Sequence, residues 1–170
     1  MARYSFAVES QAAQLAGLPV TTTFNGFFAS IEAGASANFK LRRVLLGVRA
    51  GASVPTSQQM TVIIIRETAV ASGTGSTLTA GLALDPRSAA SAIGGLRVTT
   101  AATAGTSGPT LAANPLHRVS FNTQSALDIP AEFLEEWICD QGTANGIAFV
   151  NMGNALPASH LFTLSCEWEE

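Results

Sequence analysis

Charge is scarce in this sequence. Only 12% of its 170 residues are Asp, Glu, Lys or Arg, against about 25% in a typical soluble domain. Lysine is nearly missing: Lys40 stands alone, and the other basic residues are arginines. Protein interfaces show the same bias, because a desolvated ammonium costs more than a delocalised guanidinium. Ser, Thr, Asn and Gln are expected to supply much of the surface polarity, with substantial area buried in an assembly. The formal net charge is -3, and no basic block occurs. Arg42, Arg43 and Arg49 come nearest to a cluster, but they lie in an apolar, strand-like run. No direct contact with nucleic acid is expected, since gripping phosphates needs a concentrated positive face.

Other absences narrow the field further. No apolar run approaches the roughly 18 residues that span a bilayer, and "MARYSFAVES" lacks the apolar core of a secretion signal. A soluble chain made in the cytoplasm is expected, with no membrane partner. Two cysteines, Cys139 and Cys166, fall in candidate strands without CxxC spacing. They read as buried thiols, with a disulfide open only if those strands are neighbours. Tyr4 is the one tyrosine, and Trp137 and Trp168 sit in apparent core strands.

Catalytic signatures are missing too. There is no P-loop, no GxGxxG and no GxSxG, and the Gly73 and Gly75 pair is too short to cradle a phosphate. His117 and His160 are isolated and read as structural or surface residues, while a metal site needs three or four convergent ligands. Glu135 and Glu136 diverge on either a strand or a helix, so they cannot share one substrate. Glu167, Glu169 and Glu170 read as a solvated face, and Asp85 before Pro86 reads as turn chemistry. An enzyme is not expected, and no catalytic, cofactor or metal residue is assigned.

What is present is a series of short strands. In "LFTLSCEWE", Phe162, Leu164, Cys166 and Trp168 alternate with Leu161, Thr163, Ser165 and Glu167, the period of a half-buried strand. "GIAFVNMG" reads as the strand before it, entered at Asn145-Gly146, and "NALPASH" as the loop that closes the two into a hairpin. "TTTFNGFFASIEA" reads as a strand bulged or bent at Gly26. "FKLRRVLLGVRAG" slips phase, since Phe39 and Leu41 oppose the parity of Val44, Leu46 and Val48. A bulge near Arg42-Arg43 or burial of both faces reconciles the halves. "MTVIIIRE" is apolar on both faces from Val62 to Ile65 and calls for a cover, for which a neighbouring subunit is one candidate. "LHRVSFNT" alternates cleanly, and "AEFLEEWICD" reads as a turn at Pro130 entering a strand.

Helix is expected only in short turns. "SQAAQLAGLP" has Ser10 as a cap, Gly17 as a stop and Pro19 beyond. "LALDPRSAASAIGG" has Asp85 as a cap, Pro86 at the first helical position and Gly94 as a stop. The small-residue segments "TAVASGTGSTLTA" and "TTAATAGTSGPTLAANP" are long for loops in a compact domain. The expected fold is all-β, an antiparallel two-sheet sandwich of the jelly-roll kind with one or two helical turns. An N-terminal arm is expected over residues 1–20 and a single sandwich domain over 21–170.

Over roughly residues 75 to 170 the chain resembles a group of phage-encoded virion proteins. The resemblance rests on "TLTAGLALDPRSAASA", "DQGTANGIAFVN" and "LFTLSCEWEE", with a lesser match at "FKLRRVLLGVRAG". It departs from the group where a glycine-rich turn is replaced by Thr143, Ala144 and Asn145. The resemblance implies a small β-sandwich on the phage particle: a capsid decoration, or cement, protein made in the host cytoplasm and carried on the virion. Its partner would be the major capsid protein, and a homotrimer would match the three-fold positions such proteins occupy. The capsid-facing surface is expected in residues 2 to 20 and the long loops. A tail or receptor-binding component recognising a host glycan, and a cytoplasmic oligomer, are the rival readings.

Overall fold

A computed structural model of the chain describes residues 1–10, 26–51, 56–71, 76–99, 108–131, 136–157 and 159–170. In chain order the strands are β1 (Arg3–Glu9), β2 (Phe27–Glu32), β3 (Phe39–Ala50), β4 (Gln59–Ala69), β5 (Ser76–Thr79), β6 (Leu82–Ala83) and β7 (Gly95–Thr99). There follow β8 (Thr110–Leu111), β9 (His117–Asn122), β10 (Leu127–Pro130), β11 (Trp137–Cys139), β12 (Gly146–Asn151) and β13 (His160–Glu169). No helix occurs among the described residues.

The strands form the expected two antiparallel sheets. In sheet I, β10 and β11 share one edge of β3, followed by β13, β1 and β6. In sheet II the order is β5, β7, β2, β12 and β4, with β8 and β9 sharing the far edge of β4. Successive long strands change sheet: β1 lies in I, β2 in II, β3 in I and β4 in II. The same alternation returns through β9, β10, β12 and β13.

The inner faces build the main core. Phe162, Leu164, Cys166 and Trp168 of β13 point inward, as their alternation requires, and each is at most 2% exposed. Sheet II answers with Phe28, Ile31, Met60, Val62, Ile64, Ile147 and Phe149. Phe28 stacks across the sandwich on Phe162, ring centroids 4.5 Å apart, and ties the two sheets at their centre. A buried aromatic pair of this kind adds about 0.5–1.5 kcal/mol to what its area contributes.

The phase slip in β3 resolves through a bulge. Glu167 pairs with Arg43 but Trp168 pairs with Leu41, so Arg42 is the extra residue, and Phe39, Leu41, Val44 and Leu46 all reach the core. In β2 the extra residue is Phe28, two positions beyond Gly26: Phe149 pairs with Ala29 and Val150 with Phe27. That bulge sends Phe27 outward and Phe28 inward.

Four expectations are corrected. First, β12 and β13 form no hairpin: β12 pairs with β2 and β4 in sheet II, and β13 with β1 and β3 in sheet I. All six residues of β12 are buried, so it belongs at a sheet centre with a strand on each side. Second, residues 3–9 are not an arm. Tyr4, Phe6 and Val8 alternate with Arg3, Ser5, Ala7 and Glu9, and β1 pairs with β13 over its whole length. Third, residues 85–94 do not start a helix. The Ser88 amide donates to the Asp85 carbonyl at 2.9 Å, a single turn. The next groups a helix would need are taken: the Ala89 carbonyl accepts from the Tyr4 hydroxyl, and the Ala92 amide donates to Glu170. Fourth, the outward residues of β4 need no neighbouring subunit. Ile63 and Ile65 are 2% and 3% exposed in the chain alone, packed with Phe27, Ala71, Ala148 and Val150 beneath Leu111, Ala112 and Met152. The helix expected after Ser10 lies outside the described residues.

One close approach gives a test of this packing. A Cβ on Gly81 would lie 2.2 Å from the Trp168 ring, so the chain crosses the indole only because residue 81 has no side chain. Gly81→Ala is expected to lose about 1–3 kcal/mol, the usual cost of overpacking. The melting temperature should fall by roughly 2–4 °C per kcal/mol for a chain of this size. Ala90→Ser, on the exposed side of the same segment, should stay within about 0.5 kcal/mol of wild type. Equal melting temperatures for all three proteins would contradict the close packing.

Candidate functional site

Among the described residues, two of the exposed large apolar side chains sit close together on the segment from Gly81 to Ile93. Leu82 is 73% and Leu84 49% exposed, beside exposed Pro86, Ala89 and Ala90. Beneath, the segment is fastened hard. β6 pairs with Tyr4 and Ser5 of β1, and the Leu84 amide donates to the Arg3 carbonyl at 2.9 Å. The Tyr4 ring stacks on Trp168 at 5.7 Å, and its hydroxyl reaches the Ala89 carbonyl. Burial, with the Glu170 carboxylate second, raises the Tyr4 phenol above its ordinary value. Glu170 accepts from the Ser91 hydroxyl, the Ala92 amide and the Trp168 indole nitrogen. Asp85 holds its own turn by accepting from the Arg87 amide at 2.9 Å and from the Arg87 guanidinium. The Arg87 side chain, and next its backbone amide, lower the Asp85 carboxyl. The result is a strap with an apolar outer side and an ordered base.

Next to the strap, the outer face of sheet I carries arginines matched to carboxylates. Arg49 forks onto Glu9 at 2.8 and 2.9 Å. Arg43 forks onto Asp128 and reaches Glu167 at 3.6 Å. Arg42 pairs with Glu136 and approaches Glu169 at 3.7 Å, while Arg3 takes Glu169 at 2.9 Å. The hydrogen bonds from Arg49 and Arg43 lower the Glu9 and Asp128 carboxyls, respectively. The three arginines closest in sequence thus form no positive patch. Between these pairs runs a shallow groove of about 490 Å³, lined by Ala7, Leu45, Gly47, Ala126, Thr163 and Ser165.

A buried polar cluster lies on the outer face of sheet II. Glu67 of β4 and Glu32 of β2 both stand opposite Gly146 of β12. Arg97 of β7 is bonded to Glu32. Glu67 is 3% exposed, and among the described residues neither carboxyl oxygen has a hydrogen-bond partner of normal geometry, although the Ser30 hydroxyl lies near. Burial, then the Glu32 charge, push its carboxyl up to about 8; Ser30 and Arg97 nearby pull the other way. Nothing in the sequence singled out Glu67. The signal available was a glutamate closing a strand that is apolar on both faces, where no solvated side remains.

The other marked residues stay apart. Cys139 on β11 and Cys166 on β13 flank opposite edges of β3, and both thiols are free. His117 packs against Trp137 with centroids 5.6 Å apart. His160 is buried and accepts from the Thr56 amide at 3.3 Å. Glu136 is tied to Arg42, and Glu135 lies outside the described residues. Trp168 is fully buried and Trp137 partly so. Among the described residues no group of three or more His, Cys, Asp or Glu is placed to hold a metal ion.

Burial pushes the Cys139 thiol up to about 11 and the Cys166 thiol well above its ordinary value. The thiolate is the reactive form. At neutral pH a thiol reagent should leave the native protein unlabelled while the unfolded chain takes two equivalents; rapid native labelling of either would contradict this burial. Compared with known proteins, the chain matches no family model, no curated protein and no solved structure.

Proposed function

We propose that this chain is a virion structural protein of a phage. It decorates the capsid by docking on the major capsid protein and holding neighbouring capsid subunits against the pressure of packaged DNA. The observation that carries the reading is the strap: Leu82, on the two-residue edge strand β6, and Leu84, just after it, are exposed above a base fixed by Tyr4, Trp168 and Glu170. An apolar surface already held in one conformation loses little entropy on binding. An open sheet edge also offers unpaired backbone groups to a partner.

The strand order supports the finer fold reading. β1, β13, β3 and β10 make one four-strand layer, and β2, β12, β4 and β9 the other. A chain folded in half and rolled up, as in a jelly roll, pairs its strands in this order. β5, β6, β7 and β8 then lie in an insertion between the fourth and fifth strands of the roll, which also carries the strap. Shells and their attachments use this architecture widely, and the sequence resemblance points the same way. The ion-paired arginines of sheet I favour a protein surface over nucleic acid as the partner.

Strap and groove lie on adjoining parts of sheet I, so one docking event covers both. A stable contact buries about 800 Å² on each partner, more than two leucines supply, and the long loops contribute the rest. Closed three-fold symmetry would let each copy present its strap outward to a different capsid subunit. Glycan recognition is less favoured, because Tyr4 and Trp168 are buried and cannot stack on a sugar.

Quantitative mass spectrometry of purified particles decides the question. Hundreds of copies in a simple ratio to the capsid subunit are expected. A handful would move the protein to the tail, and none would end the virion reading. With recombinant protein, Leu82→Asp/Leu84→Asp should weaken capsid binding at least tenfold with the melting temperature nearly unchanged. Wild-type binding by that variant would remove the strap from the interface.

A further inference from the structure

We propose that Glu67 is a proton-held latch on the outer face of sheet II, and that loss of its proton loosens the β8 edge and the layer packed there. The proposal is independent of what the chain docks on. Its basis is a charge imbalance in a closed space. Glu67, Gly146 and Glu32 face one another across β4, β12 and β2, so the two carboxyls rise from one face with only a glycine between them. A Cβ at residue 146 would lie 2.3 Å from Glu67 Oε2. The glycine therefore makes room for the carboxyl, and among the described residues the carboxyl fills that room without a hydrogen bond of normal geometry.

Among the described residues the groups that face Glu67 are few. β2 contributes Glu32 and the Ser30 hydroxyl, and β7 contributes Arg97, bonded to Glu32. β11 and the turn after it contribute Cys139 and Asp140, which line the same cavity of about 220 Å³ with Glu67. Cys139 is neutral throughout the relevant range. β8 carries no ionisable side chain, and Arg66, next along β4, is engaged by the Ile138 carbonyl. With both glutamates ionised, two buried negative charges would share one described guanidinium. A proton on Glu67 removes the excess, since a neutral carboxyl is far cheaper to bury than a carboxylate. The cavity gives that proton a route to solvent.

What yields is set by the neighbouring structure. Glu67 pairs with Leu111, but the register slips before Ala69 pairs with Thr110, leaving Thr68 bulged. β8 is two residues long and pairs with β4 at two positions; the Thr68 hydroxyl donates to the Thr110 carbonyl at 3.4 Å and the Ala112 amide to the Arg66 carbonyl at 2.9 Å. Leu111 and Ala112 cover the outer apolar cluster. Water drawn to an ionised Glu67 would enter at this edge, the weakest element beside it.

The sign follows from linkage. The folded-state value, about 8, is above the ordinary 4.5. The stabilisation is therefore complete below the unfolded value and is lost as pH rises through the folded one. The test compares wild type with Glu67→Gln from pH 5 to 9.5, by chemical unfolding and by native-state hydrogen exchange at Leu111 and Ala112. In wild type the unfolding constant should rise by up to tenfold per pH unit between pH 5 and 8 more steeply than in the variant. Exchange at β8 should accelerate beyond its intrinsic pH dependence in wild type alone. Parallel pH profiles for the two proteins would overturn the proposal. If the variant does not fold, a carbon-13 titration of the wild-type Glu67 carboxyl decides: a midpoint near 8 supports the latch, and one in the ordinary carboxylate range ends it.

Discussion

The structure depends on a ribbon of three strands, β2, β12 and β4, that is covered on both sides. Every residue of β2 and β12 is buried, and β4 is buried from Val62 to Ile65. One side meets sheet I through Phe28, Ile64 and Phe149, and the other meets its own layer through Phe27, Ile63, Ile65 and Val150. Fully burying each such side chain is worth about 1.5–3 kcal/mol. The same double coverage makes any polar residue on the ribbon expensive. Glu32 is bonded to Arg97, whereas burial raises the Glu67 carboxyl, and that residue is where the proposed latch sits.

Sheet I is built on the opposite plan. Its inner face is core, while its outer face meets solvent through short residues and paired charges. Exposed ion pairs of this kind add little to stability, yet they leave the face electrically quiet and shaped by Gly47, Thr163 and Ala126. At its β6 edge the strap brings leucines into the open above Tyr4, Trp168 and Glu170. The central ribbon of sheet II is thus covered on both faces, while sheet I keeps one face open.

Much of this was legible in the residues. The alternation of β13 placed Phe162, Leu164, Cys166 and Trp168 in the core, and the broken parity of β3 marked Arg42-Arg43 as the place for a bulge while leaving burial of both faces as an equal explanation. Tyr4, Phe6 and Val8 carried the same period-two signal in β1, obscured because only nine residues precede a helix-like segment. The β12–β13 hairpin failed for a physical reason: proximity in sequence and a turn at Asn145-Gly146 say nothing about which sheet a strand enters. The burial of both faces of "GIAFVN" did say so. Asp85 was recognised as a capping residue, and it does bond the amide two residues on. Whether a helix follows depends on Tyr4 and Glu170, at distant points in the chain. The Glu67 cluster was invisible because it is a meeting of three strands.

The pairing of β1 with β13 has a mechanical consequence. Arg3 lies beside Glu169, and the Glu170 amide reaches the Ala2 carbonyl at 3.2 Å, so residues 2 and 170 leave the sheet at the same corner. Tension applied to these two points would load the hydrogen bonds between the strands one at a time, like a zipper, instead of all together in shear. The strand ends are therefore a poor place for this molecule to carry a pull.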